Sequence, residues 1–295
     1  MEEEEKKYWI AFSVFEGIGP LRFKLLLSYF GTAQKAFKAS AKELRVIGLP
    51  EKITENFLKF RENFNFDSYF IRIEENAVKT IFCEEENYPN LLKEIDSMPP
   101  VLYVKLSGNT VLEEVFNKKS IAIVGSRKMT PYGEKVTKTI TKELVLKDWC
   151  IVSGLARGVD RIAHEAAIEN KGTTIAVVGS GLDCVYPPEH KTLADKIIKN
   201  GGLIFSEFPF GAKITAGNFP ARNRIISGLS LGVVVTEAAL DSGSLITASY
   251  AAEQGREVFA VPGPINSSLS EGTASLIKKG AKLVTRVEDI LEELG

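Results

Sequence analysis

The chain has 295 residues, 44% of them apolar and 25% charged, with a formal net charge of −1. This is a globular composition, long enough for one large α/β domain and a small one, and it excludes a disordered or fibrous chain. It also excludes a basic molecule, so contact with nucleic acid would need positive charge gathered in one place.

Residues 1–65 carry apolar side chains at spacings of three and four in "WIAFSVF", "LRFKLLLSYF", "AQKAFKAS" and "ENFLKFRE", a pattern that predicts helices. Glycine-bearing breaks, "EGIGP" at Glu16–Pro20 and "VIGLP" at Val46–Pro50, divide them. The expected unit is a small all-α domain of paired helix-hairpin-helix (SAM-like) units. In that motif glycine lets the backbone approach a phosphate at a helix start, or merely turns the chain. Residues 66–119 read as a connector with two strand-like pieces, Val78–Phe82 and Val101–Leu106, around a proline-marked segment.

Residues 120–295 alternate. Buried-strand runs such as "SIAIVG", "WCIVSG", "GTTIAVVG", "GLIFSE", "LGVVVTEA" and "REVFAVPG" are separated by helical stretches such as "VDRIAHEAAIEN" and "SLITASYAAEQG". Continuous Val/Ile/Ala strands with helices between them predict a mostly parallel sheet covered on both faces. The fold class is an extended Rossmann-like, doubly wound α/β domain.

In such a sheet, ligands sit beyond the carboxyl ends of the strands. The loops there read "VGSRKM", with Gly125, Ser126 and Arg127; "SGLARGVD", with Ser153, Gly154, Arg157, Gly158 and Asp160; and "GSGLDCVYPP", with Gly179 and Tyr186. "FPARNR" then brings Arg222 and Arg224 in a loop before a helix, and "TEAALDSGSLITA" brings Glu237, Ser242, Gly243 and Ser244. Small residues that open helices admit backbone N–H groups to phosphate oxygens, and guanidiniums clamp phosphates through paired hydrogen bonds. The convergence predicts an anionic ligand at this edge.

Fingerprints of common nucleotide-binding chemistries are missing: no GxGxxG follows the first strand, and no GxxxxGK[ST] occurs. His164 lies one turn beyond Asp160 and is expected to hydrogen-bond to it, fixing the "SGLARG" loop; His190 is expected to start a helix. Glu237 is expected to cap its loop. No set of nucleophile, base and orienter stands out. Cys83, Cys150 and Cys184 are far apart with no CxxC pair, which reads as buried free thiols, with neither a metal nor a cofactor. No apolar run reaches membrane-spanning length, and the "MEEEEKK" start is the opposite of a secretory signal. A cytoplasmic protein is expected.

In order along the chain, "VGSR…YG", "SGLARGVD…AH", "GSGLD…YP", "FPARNRIISGLS", "SGSLITA" and "GREVFAVPG" resemble the DNA-processing protein A family (DprA, also called Smf). The likeness covers all of residues 120–295, and the helical zone and "YPNLL…PPVLYV" fit the family's layout. It implies a single-stranded DNA-binding protein, not an enzyme, that receives incoming strands in natural transformation. It further implies loading of the RecA recombinase and a homodimer formed through the Rossmann-like domain. Phe219, Arg222, Asn223 and Arg224 would belong to the strand pocket, with Arg127 the foremost partner and Phe219 a stacking face.

The sequence departs from the family's pattern in three places. "AKITAGN", Ala212–Asn218, replaces a proline-bearing stretch, and Lys213 would supply charge from a new position. Ala274 stands where many members have asparagine. The chain stops at "ILEELG", where many members continue into a winged-helix domain, so that module is not expected. The alternative is an enzyme similar to the lysine-decarboxylase-like phosphoribohydrolases, which cleave nucleoside monophosphates. Their PGGxGTxxE signature is missing, and Glu237 is the one candidate acid.

Overall fold

A computed structural model describes residues 1–295. The helical pattern of the first 65 residues resolves into α1 (Glu3–Val14), α2 (Pro20–Phe30), α3 (Ala33–Lys38), α4 (Ala41–Val46) and α5 (Glu51–Asn63). The two glycine breaks do need glycine: Gly17 and Gly48 have φ of +148° and +89°. Aromatic rings fill the space between these helices. Phe12 stacks on Phe57 with centroids 5.1 Å apart, and Trp9 meets Phe23 edge-on at 4.8 Å. Large rings give a short helical segment the apolar area it needs.

The connector opens with a helix that the two-strand reading does not include, α6 (Phe66–Glu75), capped by Asn65, whose Oδ1 accepts from Ser68 N at 2.9 Å. β1 (Val78–Phe82) and β2 (Val101–Lys105) follow, with α7 (Asn90–Lys93) between them and α8 (Leu112–Phe116) after. One apolar cluster runs from Trp9 and Phe12 through Phe82 to Val101 and Tyr103. Ser13 and Tyr103 share a hydroxyl hydrogen bond of 2.6 Å across it.

The alternating zone gives β3 (Ser120–Val124), α9 (Pro131–Leu146), β4 (Cys150–Ser153), α10 (Val159–Glu169), β5 (Thr174–Val177), α11 (Lys191–Lys199) and β6 (Leu203–Ser206). Then come α12 (Asn218–Gly228), β7 (Gly232–Val235), α13 (Gly243–Glu253), β8 (Glu257–Ala260), α14 (Glu271–Lys278), β9 (Lys282–Leu283) and α15 (Glu288–Leu294). The nine strands form one sheet in the order β1-β2-β6-β5-β4-β3-β7-β8-β9. β1, β2 and β6 pair antiparallel, and every other pair is parallel.

Alternate side chains of the parallel strands enter two cores. Ala122, Val124, Val152 and Val235 pack with Ile225 and Ile226 of α12, while Ile121, Ile123, Ile151 and Val234 pack with Leu144 of α9 and Ala163 of α10. Both faces are covered, so the strands are apolar throughout. From β3 the chain winds outward through β4 and β5 to β6, then returns to the other side of β3 as β7. That reversal opens a crevice at the carboxyl ends of β3, β4 and β7. Of the cysteines, all free, Cys150 is buried as expected and Cys184 is exposed. No helix is long and apolar enough to cross a membrane.

Candidate functional site

A cleft of about 480 Å³ occupies this crevice. Gly125, Ser126, Arg127 and Lys128 enter it from the loop after β3, Ala156 from the turn after β4 and Asp160 from the first turn of α10. Phe219, Pro220, Arg222 and Asn223 come from α12; Asp241, Ser242, Gly243, Ser244 and Thr247 come from the start of α13.

"FPARNR" is helix, not loop. α12 begins at Asn218, and Pro220 falls in its first turn, where a missing N–H leaves no helical bond unmade. The two arginines therefore diverge, because positions two apart do not share a helix face. Arg222, 4% exposed, donates from Nη1 to Gly154 O at 2.7 Å and to Val177 O, and from Nε to Asn223 Oδ1 at 3.2 Å. Asn223 in turn donates to Gly243 O at 3.2 Å, tying α12 to α13. Burial brings the Arg222 guanidinium down to about 10, against the pull of Asp160, so it stays charged at neutral pH. Arg224 does not line the cleft: its Nη2 donates to Glu207 Oε2 at 2.5 Å in a nearly buried pair. Burial raises the Glu207 carboxyl, opposed by Arg224.

Asp160 and His164 do not form the expected pair. Asp160 Oδ2 accepts from the backbone N–H of Gly154 at 3.0 Å and of Ala156 at 3.3 Å, so it does fix the "SGLARG" turn, alone. Burial raises its carboxyl, and Arg222 opposes the rise. His164 faces the sheet, its Nδ1 2.8 Å from Thr174 Oγ1. The Thr174 hydroxyl already donates to Ile151 O, so the imidazole must donate and its Nε2 is left unpartnered. Complete burial depresses His164 to about 3. His190 stands just before α11 without capping it, its Nδ1 bonding Leu155 O at 2.8 Å instead.

Other expected contacts are spent within the protein. Ser153 is fully buried, and its hydroxyl donates to Ile123 O at 2.7 Å. Arg157 pairs with Glu189 at 2.5 Å on the surface, outside the cleft. Lys213 lines a separate apolar cavity of about 450 Å³ between the Gly17–Pro20 hairpin and Phe208–Phe210. Glu237 does not cap its own loop: its carboxylate accepts from Thr130 N at 2.7 Å and Thr130 Oγ1 at 2.6 Å, bracing the start of α9.

The glycines act by close approach. A Cβ on Gly125 would stand 2.7 Å from Val159 Cγ2, and on Gly154 2.6 Å from Asp160 Oδ2. Gly158, at φ +74°, lies against Ser126 O. On Gly179 a Cβ would stand 3.0 Å from Phe219 Cδ1, so this glycine makes room for a ring. Arg127, in contrast, is exposed, and its guanidinium carbon lies 5.8 Å from the Phe219 centroid, without the ion pairs that engage Arg157 and Arg224.

Residues 79–295 match the family model described as DNA recombination-mediator protein A. The chain belongs to that family. It is 40% identical to Protein Smf of Synechocystis over 296 residues, covering 100% of this chain and 74% of that protein. It is 46% identical to DNA processing protein DprA of Bacillus subtilis over 220 residues, 75% of this chain and 72% of that one. The X-ray structure of DprA from Streptococcus pneumoniae superposes with a TM-score of 0.81 at 34% identity, covering 99% of this chain and 98% of that one. A Helicobacter pylori DprA structure, described for that protein's single-stranded DNA binding mode, gives a TM-score of 0.65 at 32% identity over 74% of this chain and 95% of that one.

The place of this chain is thus in DNA processing and recombination. Its DprA-family cleft also contains residues that motif reading passed over. Lys128 and Asp241 are exposed at the rim. Lys128 was visible as the cation following Arg127; nothing in the sequence marked Asp241.

Proposed function

We propose that this protein binds single-stranded DNA in the strand-end cleft and holds it without cleaving it. The observation that carries the reading is the exposed, carboxylate-free Arg127 lining the same cleft as the buried, still cationic Arg222. Gly125, Ser126, Ser242, Gly243 and Ser244 contribute small residues at the strand ends, Lys128 adds charge, and Phe219 holds Arg127 in place through its ring. Asn223 orients Arg222. The Helicobacter pylori relative's single-stranded DNA binding supports the same ligand here. The groups an enzyme would call on are engaged elsewhere: Glu237 with Thr130, and His164 buried and held neutral. This disfavours the nucleoside-monophosphate hydrolase reading.

In the same proposal the protein passes its strand to the RecA recombinase during transformation and recombination. The mediator role in the family's description supports this. It acts as a homodimer through the Rossmann-like domain, where exposed Leu240 and Ile265 offer apolar surface. Two clefts on one strand would raise avidity.

The test is fluorescence anisotropy of a labelled oligo-dT at two salt concentrations. Wild type binds, and its affinity falls with salt as counterions are released, with a slope of about −0.7 per phosphate neutralised. Arg127→Ala weakens binding and flattens that slope. An unchanged slope in folded Arg127→Ala protein would reject the cleft. Light scattering reads the dimer, and a monomer at micromolar concentration rejects that part.

A further inference from the structure

Tyr186 stands just outside the cleft, against Phe219, which lines it. The Phe219 ring is already enclosed: Arg127 lies 5.8 Å from its centroid, Tyr186 lies 5.3 Å away at 41°, and Gly179 closes on its edge. Phe219 is half-buried, whereas Tyr186 is 40% exposed. The row Arg127, Phe219, Tyr186 is assembled from three separate segments: the loop after β3, the first turn of α12 and the loop between β5 and α11. Its more exposed ring is the tyrosine's.

We propose that Tyr186 is the base-stacking residue of the site: one nucleobase of a bound single strand lies on its ring while a neighbouring phosphate reaches Arg127. This rests on the single-strand reading above. A tyrosine ring with two rotatable bonds presents a flat face at little cost in entropy. Every base has a π-face, so such a platform takes any sequence. Duplex bases are already stacked and cannot use it. Phe219 then acts as the spacer that fixes the distance between phosphate clamp and base platform.

The experiment compares wild type, Tyr186→Phe and Tyr186→Ala on oligo-dT and on an abasic oligonucleotide of equal length, by anisotropy, with thermal melts confirming folding. Tyr186→Ala is expected to weaken oligo-dT binding about 5- to 150-fold, the range for losing one stacked base. It should leave abasic binding and the salt slope near wild type, and Tyr186→Phe should bind oligo-dT like wild type. Equal weakening on both oligonucleotides would make Tyr186 a mere support for Phe219 and overturn the proposal. So would unchanged oligo-dT binding by Tyr186→Ala. If folded wild type binds neither oligonucleotide, the single-strand reading itself falls, and this proposal with it.

Discussion

Arg222 and Arg224 stand two positions apart on α12, and their guanidiniums serve different sides of it. Arg222 bonds the carbonyls of Gly154 and Val177 at the strand-end cleft, and Arg224 bonds Glu207 at 2.5 Å. Two positions are about 200° of helical turn, so the doublet cannot act as one clamp. Arg224→Ala strands a nearly buried carboxylate and should cost about 3–5 kcal/mol in urea unfolding. Affinity of the folded fraction for oligo-dT should stay unchanged. Lost affinity at full stability would return Arg224 to the cleft. A joint Arg222/Arg224 alanine variant would confuse unfolding with lost binding, which is why Arg127 carries the primary test.

Gly154 leaves no room for a methyl group. A Cβ there would stand 2.6 Å from Asp160 Oδ2 and 2.7 Å from Arg222 Nη2. Gly154→Ala should therefore destabilise by about 1–3 kcal/mol and weaken oligo-dT binding by displacing Arg222. Gly243 has nothing within 4 Å of such a Cβ and opens α13. Gly243→Ala should leave stability unchanged or raise it by about 0.4–1 kcal/mol. If both variants melt alike, the packing assigned to Gly154 is wrong.

Glu237 is a strut between β7 and the start of α9. Glu237→Gln removes charge from the carboxylate that accepts from Thr130 N and Oγ1, at an expected cost of about 1–3 kcal/mol. Incubation of wild type with nucleoside monophosphates should release no free base. Base release that Glu237→Gln abolishes would instead make this residue a catalytic acid.

His164 sets an acid limb on stability. Its folded-state value of about 3 lies below the 6.5 of an unperturbed histidine. Between those values the unfolded chain holds the extra proton, so stability falls as pH drops from about 6.5 toward 3, by up to about 1.4 kcal/mol per unit. Denaturant titrations at pH 7.5 and 5 should show a smaller drop for His164→Gln than for wild type. Equal drops would show that the imidazole is solvated and titrates normally.

The parallel sheet was legible because strands covered on both faces must be apolar throughout, as "SIAIVG" and "LGVVVTEA" are. α6 was legible too, since Phe66, Tyr69, Phe70 and Ile73 in "FDSYFIRIEE" stand at helical spacings of three and four, a signal that the connector reading passes over. The cleft's loops were legible as glycine and serine at strand ends. The partner of each charge was not: His164 reaches Thr174 across the sheet instead of Asp160 one turn away.

The sequence by itself determined the α/β alternation, the edge of the sheet where the cleft opens and the family. Those follow from local pattern and from ordered motifs, which are properties of the chain read in one dimension. The tertiary structure decided which arginine faces the cleft, which is consumed by Glu207 or Glu189, and that Tyr186 stands beside Phe219. Those depend on distances between residues far apart in the chain, and on the point at which α12 starts its turn. A shift of one residue in that start would have rotated every side chain on the helix by about 100°.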